Sequence, residues 1–179
     1  MDGVKLTCVL GDITEQEVDA VVNAANQAMR GGGGVDGAIH RAGGPAILAD
    51  CVRRFPHGLE TGQAGWTIGG NLPAKYVIHV VGPNHRRGQT DRTLLTSCYA
   101  NALKVADELG VRTIAFPLVS AGVYGWPLAD AVDAAVSTLV ATPTHVEEAR
   151  LVAFSPHDYE FVRTRLGAEP ACASEPVEP

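Results

Sequence analysis

The sequence predicts a three-layer α/β/α fold around a central mixed sheet, and three observations carry that prediction. Short runs of strand-forming residues alternate with segments of helical periodicity. Two of the runs, Ala20-Val21-Val22 and Arg112 to Leu118, read as buried strands, the first apolar without a break as coverage on both faces requires. Finally, Gln63 to Gly69 and Lys75 to Val81 are joined by Gly70-Asn71-Leu72-Pro73, an interior pair of adjacent strands that makes the sheet mixed.

Lys5 to Leu10 suits a first strand, closed by the turn and cap residues Gly11-Asp12-Ile13-Thr14 and a helical turn over Glu15 to Val18. Asp19 to Asn23 follows as a central strand. The polar, glycine-rich loop Ala24 to Gly34 feeds a helix that starts at Val35 or Asp36 and ends at Gly43-Gly44, and Pro45 opens a second helix through Arg54. Gly82-Pro83 ends the strand pair, and Asn84 to Arg92 reads as a mobile charged loop. In Thr90 to Leu109, residues Leu94, Cys98, Ala102, Val105 and Leu109 recur at helical spacing, with Gly110 past the end. Beyond the strand Arg112 to Leu118 and the loop Val119 to Gly125, Pro127 begins a helix with the stripe Leu128, Ala131, Val132, Ala135, Val136 and Leu139. The strand Ala149 to Phe154 and the helix His157 to Leu166 complete one domain over residues 1–167. Residues 168–179, with prolines and glutamates among small residues, read as a disordered tail.

A chain of 179 residues with 46% hydrophobic content can bury one core. Its formal net charge of −6 argues against extended duplex binding, which needs clustered Lys and Arg. Cys8, Cys51, Cys98 and Cys172 lie far apart without a CxxC pair, so reduced thiols and no metal site are expected. No leader-like segment or spanning apolar run occurs, which makes a soluble, cytoplasmic protein without membrane association the expectation.

Candidate chemistry collects at strand C-terminal ends. Gly31 to Gly34 precede a helix N-terminus, where free N–H groups and the positive dipole end can hold an anion. Ser120-Ala121-Gly122-Val123-Tyr124-Gly125 repeats the arrangement, and two such loops suit a pyrophosphate. The bland alternative is that the glycines only make tight turns; their pairing counts against it. Gly32-x-Gly34-x-x-Gly37 formally satisfies a dinucleotide pattern, but Ala24 to Gly31 separates it from the preceding strand, and no Lys-Ser or Lys-Thr completes a Walker loop.

Gly11 to Thr14, Val22-Asn23-Ala24-Ala25-Asn26, Gly31 to His40, Pro73 to His79 and Gly122 to Gly125 together resemble the macrodomain family, in its MacroD-type class, over about residues 4 to 167. The resemblance implies an ADP-ribose pocket needing no cofactor. Asp12 would accept from the adenine amino group beside the Ile13 N–H, and Asn23 would order the loop. Gly33, Gly34 and Val35, with Ser120, Ala121, Gly122 and Val123, would surround the phosphates. Asn26 and Asp36 would flank the distal ribose as the catalytic pair, Tyr124 would close over it, and Tyr159 would face adenine, with Phe154 a second candidate for that role though better suited to the core. Asp12 as a helix cap and Asp36 as a helix N-terminal charge remain structural alternatives. His40, one turn after Asp36, pairs with that carboxylate or with backbone, and His79 reads as a core residue. Ala121 and Trp126 stand where the family more often has a hydroxyl residue and Tyr, which bears on loop contacts and on the rim facing the modified partner. The implied activity is hydrolysis of mono-ADP-ribosyl linkages, carboxylate esters on proteins foremost. O-acetyl-ADP-ribose deacetylation, hydrolysis of ADP-ribosylated DNA and non-catalytic reading of ADP-ribose are the alternatives.

Overall fold

The computed structural model describes residues 3–168; Cys172 and the predicted tail beyond Ala168 lie outside them. In chain order the elements are β1 (Lys5–Leu10), β2 (Ala20–Ala25), α1 (Gly34–Gly43), α2 (Pro45–Arg54), β3 (Ala64–Ile68), β4 (Tyr76–Val81), α3 (Arg92–Leu109), β5 (Thr113–Phe116), α4 (Leu128–Ala141), β6 (Glu148–Ala153) and α5 (Pro156–Gly167). The strands form one sheet in the order β1-β6-β5-β2-β4-β3. Every pairing is parallel except β3 with β4. The sheet is mixed as predicted, but its antiparallel pair sits at the edge instead of inside. β3 is only partly covered, with Ile68 exposed, as befits a terminal strand.

Helices α1 and α2 cover one face of the sheet, burying Ile39, Ile47 and Cys51 with Val21, Val77 and Ala115. On the other face α3, α4 and α5 bury Leu95, Leu103, Leu139 and Val162 with Val22, Ile78, Ile114 and Leu151. Each fully buried Leu or Ile contributes about 1.5–3 kcal/mol relative to exposure, so these two clusters hold the layers together.

Three local readings are corrected. The buried face of α3 is Leu95, Cys98, Tyr99, Ala102, Leu103 and Ala106, rotated from the predicted stripe. The helix packs against both the sheet and α4, so its covered face is wider than one row, and Val105 and Leu109 lie at the margin. The segment predicted as a mobile loop contains a 3-10 turn, His85–Arg87, tied to the loop after β5: the Arg86 N–H donates to the Tyr124 carbonyl at 3.1 Å, and the His85 ring meets Trp126 edge-on at 5.2 Å. The helical turn expected over Glu15 to Val18 is instead a 3-10 turn at Ile13–Glu15, started earlier by the Asp12 cap.

Asp50 fastens α2 to the edge strand. Its carboxylate, 6% exposed, accepts from the Ile68 N–H at 3.0 Å, Arg54 Nε at 2.9 Å and Arg53 Nη2 at 2.7 Å. Burial alone would raise its pKa; the Ile68 N–H and the two guanidinium groups outweigh burial and hold it below the usual carboxylate value. Replacing Asp50 with Ala is expected to lower unfolding free energy by about 2–3 kcal/mol in denaturant titrations at neutral pH, because charge-assisted bonds are lost and the Ile68 N–H loses its acceptor. A lowered folded-state pKa stabilises above the unfolded value, so the gap between wild type and variant narrows as pH falls below about 4.

Candidate active site

Because β1, β2, β4, β5 and β6 run parallel, their C-terminal ends share one edge of the sheet, where α/β folds bind ligands. Asp12, the 26–33 loop, Gly82 to Asn84, the 117–127 loop and Phe154 all emerge there. Among the described residues the two non-glycines with left-handed backbone are Met29 (φ 58°) and Ser120 (φ 66°), one in each glycine-containing loop. Such a conformation costs about 1–3 kcal/mol and persists where surrounding structure enforces it, often at functional loops.

The first loop is shaped for close approach. Gly33 is the N-cap of α1 and supplies no capping side chain, so the first-turn N–H groups face the edge uncapped. Gly37 is required by crowding: a Cβ there would lie 2.6 Å from the Gly32 carbonyl oxygen. In the second loop, the Gly125 N–H donates to Gly122 and the Trp126 N–H to Ser120, whereas the N–H groups of Gly122, Val123 and Tyr124 have no partner among the described residues. Its base is held from the core by Tyr99, whose hydroxyl accepts from the Val119 N–H at 3.0 Å.

Beneath the first loop sits Asp36, 4% exposed in the first turn of α1. Its Oδ1 accepts from Asn23 Nδ2 at 2.8 Å and lies 3.3 Å from His40 Nε2. Oδ2 faces the loop, 3.1 Å from where a Gly32 Cβ would stand, and that same point is 3.3 Å from Asn26 Nδ2. Asn26 holds the loop by donating to the Gly31 carbonyl at 3.1 Å. The buried Oδ1 atoms of both Asn23 and Asn26 have no partner. An unmatched buried acceptor costs about 1–3 kcal/mol, which an arriving donor offsets.

Asn23 lies in β2 as predicted, and the strand continues past it to Ala25; it stands opposite His79 of β4 in register. Asn23 Nδ2 is 3.1 Å from His79 Nδ1, and His79 Nε2 is 2.9 Å from Thr67 Oγ1. His79 is therefore in the core as predicted, yet it touches the site through Asn23. Burial, aided by the nearby His40, pushes its pKa down to about 3.

Asp12 caps the 3-10 turn: its Oδ1 accepts from the Thr14 N–H at 2.9 Å and the Thr14 hydroxyl at 2.7 Å, so the structural role is present and Oδ2 stays available. Ile13 is buried in the α1/α2 core. One of the two aromatic expectations is corrected. Phe154, predicted in the core, is 86% exposed because β6 ends at Ala153 and the chain turns there into the Ser155 cap of α5. Tyr159 lies on α5, half-buried and packed against the larger core. Trp126 is not a rim residue: it is buried and its Nε1 donates to Asp130 at 2.9 Å. Ala121 packs on the core, while Val123 is largely exposed and Tyr124 half-buried. The Asn23–His79 contact was not visible in the sequence, since 56 positions separate the two residues; the signal was a polar residue inside each of two apolar runs.

A family model described as Macro domain matches residues 22–135. The chain belongs to the macrodomain family. A macro domain-containing protein of Streptomyces coelicolor is 54% identical over 166 residues, covering 90% of this chain and 98% of the relative. O-acetyl-ADP-ribose deacetylase 1 of Pantoea vagans is 44% identical, covering 88% and 95%. ADP-ribose glycohydrolase MACROD2 of Xenopus laevis is 53% identical over 137 residues, 75% of this chain and 32% of that longer protein. The Oceanobacillus iheyensis macrodomain with ADP superposes at TM-score 0.85 and 38% identity, covering 90% of this macrodomain and 89% of the other. The Trypanosoma brucei macrodomain in complex with ADP-ribose does so at 0.84 and 36%, covering 90% and 69%.

Two outcomes test this site. Gly37→Ala is expected to displace the Gly32 carbonyl and shift amide resonances of residues 31–36, with Cys98 and its surroundings unmoved in the same spectrum. Stability should also fall as pH drops: His79 binds a proton near 6.5 when unfolded but only near about 3 when folded, so its contribution is present above about 6.5 and lost below it. Denaturant midpoints at pH 7.5 and 5, compared with those of His79→Phe, measure that share.

Proposed function

We propose that this macrodomain binds ADP-ribose across the strand-end edge and hydrolyses mono-ADP-ribosyl linkages, with carboxylate esters on proteins as the principal substrate. The observation that carries the reading is the meeting of Asn26 Nδ2 and Asp36 Oδ2 at Gly32, with that Asp36 oxygen free and the Asn26 oxygen buried and unmatched. Gly33, Gly34 and Val35 on one side, and Ser120 to Val123 on the other, present backbone to the pyrophosphate, suited to an anion by the dipole of α1. Tyr124 borders the distal ribose. Asp12 Oδ2 accepts from the adenine amino group beside the Ile13 N–H. Phe154 takes the stacking role first given to Tyr159, since its ring is exposed at the strand end whereas Tyr159 packs against the larger core.

In the reaction, water attacks C1″ as the bond from C1″ to the target carboxylate oxygen breaks. Asp36 Oδ2 takes the water proton, Asn26 holds the ribose, and the carboxylate leaves as an anion that needs no acid. The products are ADP-ribose and the restored side chain. A second reading, O-acetyl-ADP-ribose deacetylation, is favoured by the name of the Pantoea vagans relative and uses the same pocket. Reduced, buried Cys8, Cys51 and Cys98 suit a cytoplasmic setting. No helix among the described residues is long and apolar enough to cross a membrane.

The test is single-turnover release from carboxylate-linked, serine-linked, acetyl-ester and DNA-linked ADP-ribose, with ADP-ribose affinity measured alongside. Asp36→Ala should slow ester release by about 10²–10⁴-fold, the usual loss on removing a general base, while affinity changes far less. Asn26→Ala should affect both. Micromolar binding, about −8 kcal/mol, is expected for ADP-ribose, with adenosine much weaker. Turnover should persist in excess chelator. A wild-type protein that binds ADP-ribose and releases nothing from any substrate is a reader.

A further inference from the structure

We propose that His79 is a positioning residue: as the neutral Nε2–H tautomer it sets the Asn23 amide, and the amide in turn sets the Asp36 carboxylate. This rests on the assignment of Asp36 as the base. The line consists of Asp36 Oδ1, Asn23 Nδ2 at 2.8 Å, His79 Nδ1 a further 3.1 Å on, and Thr67 Oγ1 2.9 Å from His79 Nε2. It ends where the Thr67 hydroxyl donates to the Ile68 carbonyl at 3.1 Å. Asn23 and Thr67 are 0% exposed, His79 1% and Asp36 4%, so water does not substitute for any member.

Proton accounting leaves one arrangement. An ionised carboxylate only accepts, so Asn23 turns its NH₂ toward Asp36. The second hydrogen of that NH₂ points at His79 Nδ1, which therefore carries the lone pair, and the ring proton sits on Nε2. Thr67 Oγ1 accepts this proton because its own is given to Ile68. A ring protonated on Nδ1 would oppose two donors, or else turn the amide and set Asn23 Oδ1 against the carboxylate.

The amide keeps its orientation even though Asn23 Oδ1 is left buried without a partner. The groups facing the ring are Asn23, Thr67, the Cys51 thiol with Sγ 3.9 Å from Nε2, and His40 with ring centroids 6.4 Å apart; Asp50 acts at longer range. Burial keeps His79 uncharged, so the line stays intact through the neutral range. Asp36 thus has Oδ1 held by Asn23, with His40 Nε2 3.3 Å away, and Oδ2 directed at the loop.

Three measurements test the proposal. First, ¹⁵N spectra of imidazole-labelled wild type should show His79 as the Nε2–H tautomer at pH 7. Second, His79→Phe, which keeps a ring but loses both nitrogens, should slow single-turnover ester release by about 10–100-fold, the scale of an ångström misplacement, with ADP-ribose affinity within about threefold. Third, His79→Gln, which restores one acceptor and one donor, should recover most of that rate. Thr67→Val should show a smaller loss and decides the matter if His79→Phe fails to fold. An Nδ1–H tautomer, a folded His79→Phe with wild-type release, or rate and affinity falling together would overturn the proposal. A fully active Asp36→Ala overturns the base assignment instead, and the tautomer reports on the line independently of that result.

Discussion

A carboxylate buried at the first turn of α1 imposes a condition on everything around it. Asp36 is favoured by the helix dipole, but burial without donors would cost several kcal/mol. On its own helix His40 Nε2 stands 3.3 Å away, a turn later; the hydrogen-bond donor, Asn23, comes from the sheet. That need explains why β2 stays in the sheet through Asn23 to Ala25, and why an asparagine interrupts its apolar run. It also explains a histidine at the same level of β4, because the second Asn23 hydrogen requires an acceptor in a place that water does not reach.

Neither Gly31 to Gly34 nor Ser120 to Gly125 contains Lys or Arg, and the chain as a whole is acidic, so both stretches present uncharged backbone. Asp12 and Asp36 share a design in which Oδ1 is spent on the scaffold while Oδ2 stays free. A side chain held by one oxygen cannot rotate away when the other binds, so orientation is in place before a ligand arrives.

The second loop is preorganised from outside the site. Tyr99 reaches from the core of α3 to the Val119 N–H, Arg86 bonds the Tyr124 carbonyl, and Trp126 is locked to Asp130, itself paired with Arg92. The left-handed Ser120 is sustained by these contacts. The departure of Trp126 from the commoner Tyr thus concerns the foundation of the loop and not its outer surface.

Hydrophobic periodicity and punctuation by Gly and Pro are local properties, so the elements, the three layers and the glycine loops were legible in the residues themselves. The bounds of α2 and the stripe on α4 illustrate how far such signals reach. Pairing is not local. That the antiparallel strand lies at the edge, that Asn23 meets His79, and that Phe154 is exposed all depend on which strand lies beside which and where each ladder stops. The sequence by itself determined which residue types stand at the strand ends; tertiary structure alone decided which of their atoms are already occupied and which remain free, because hydrogen-bond partners here come from segments dozens of residues apart.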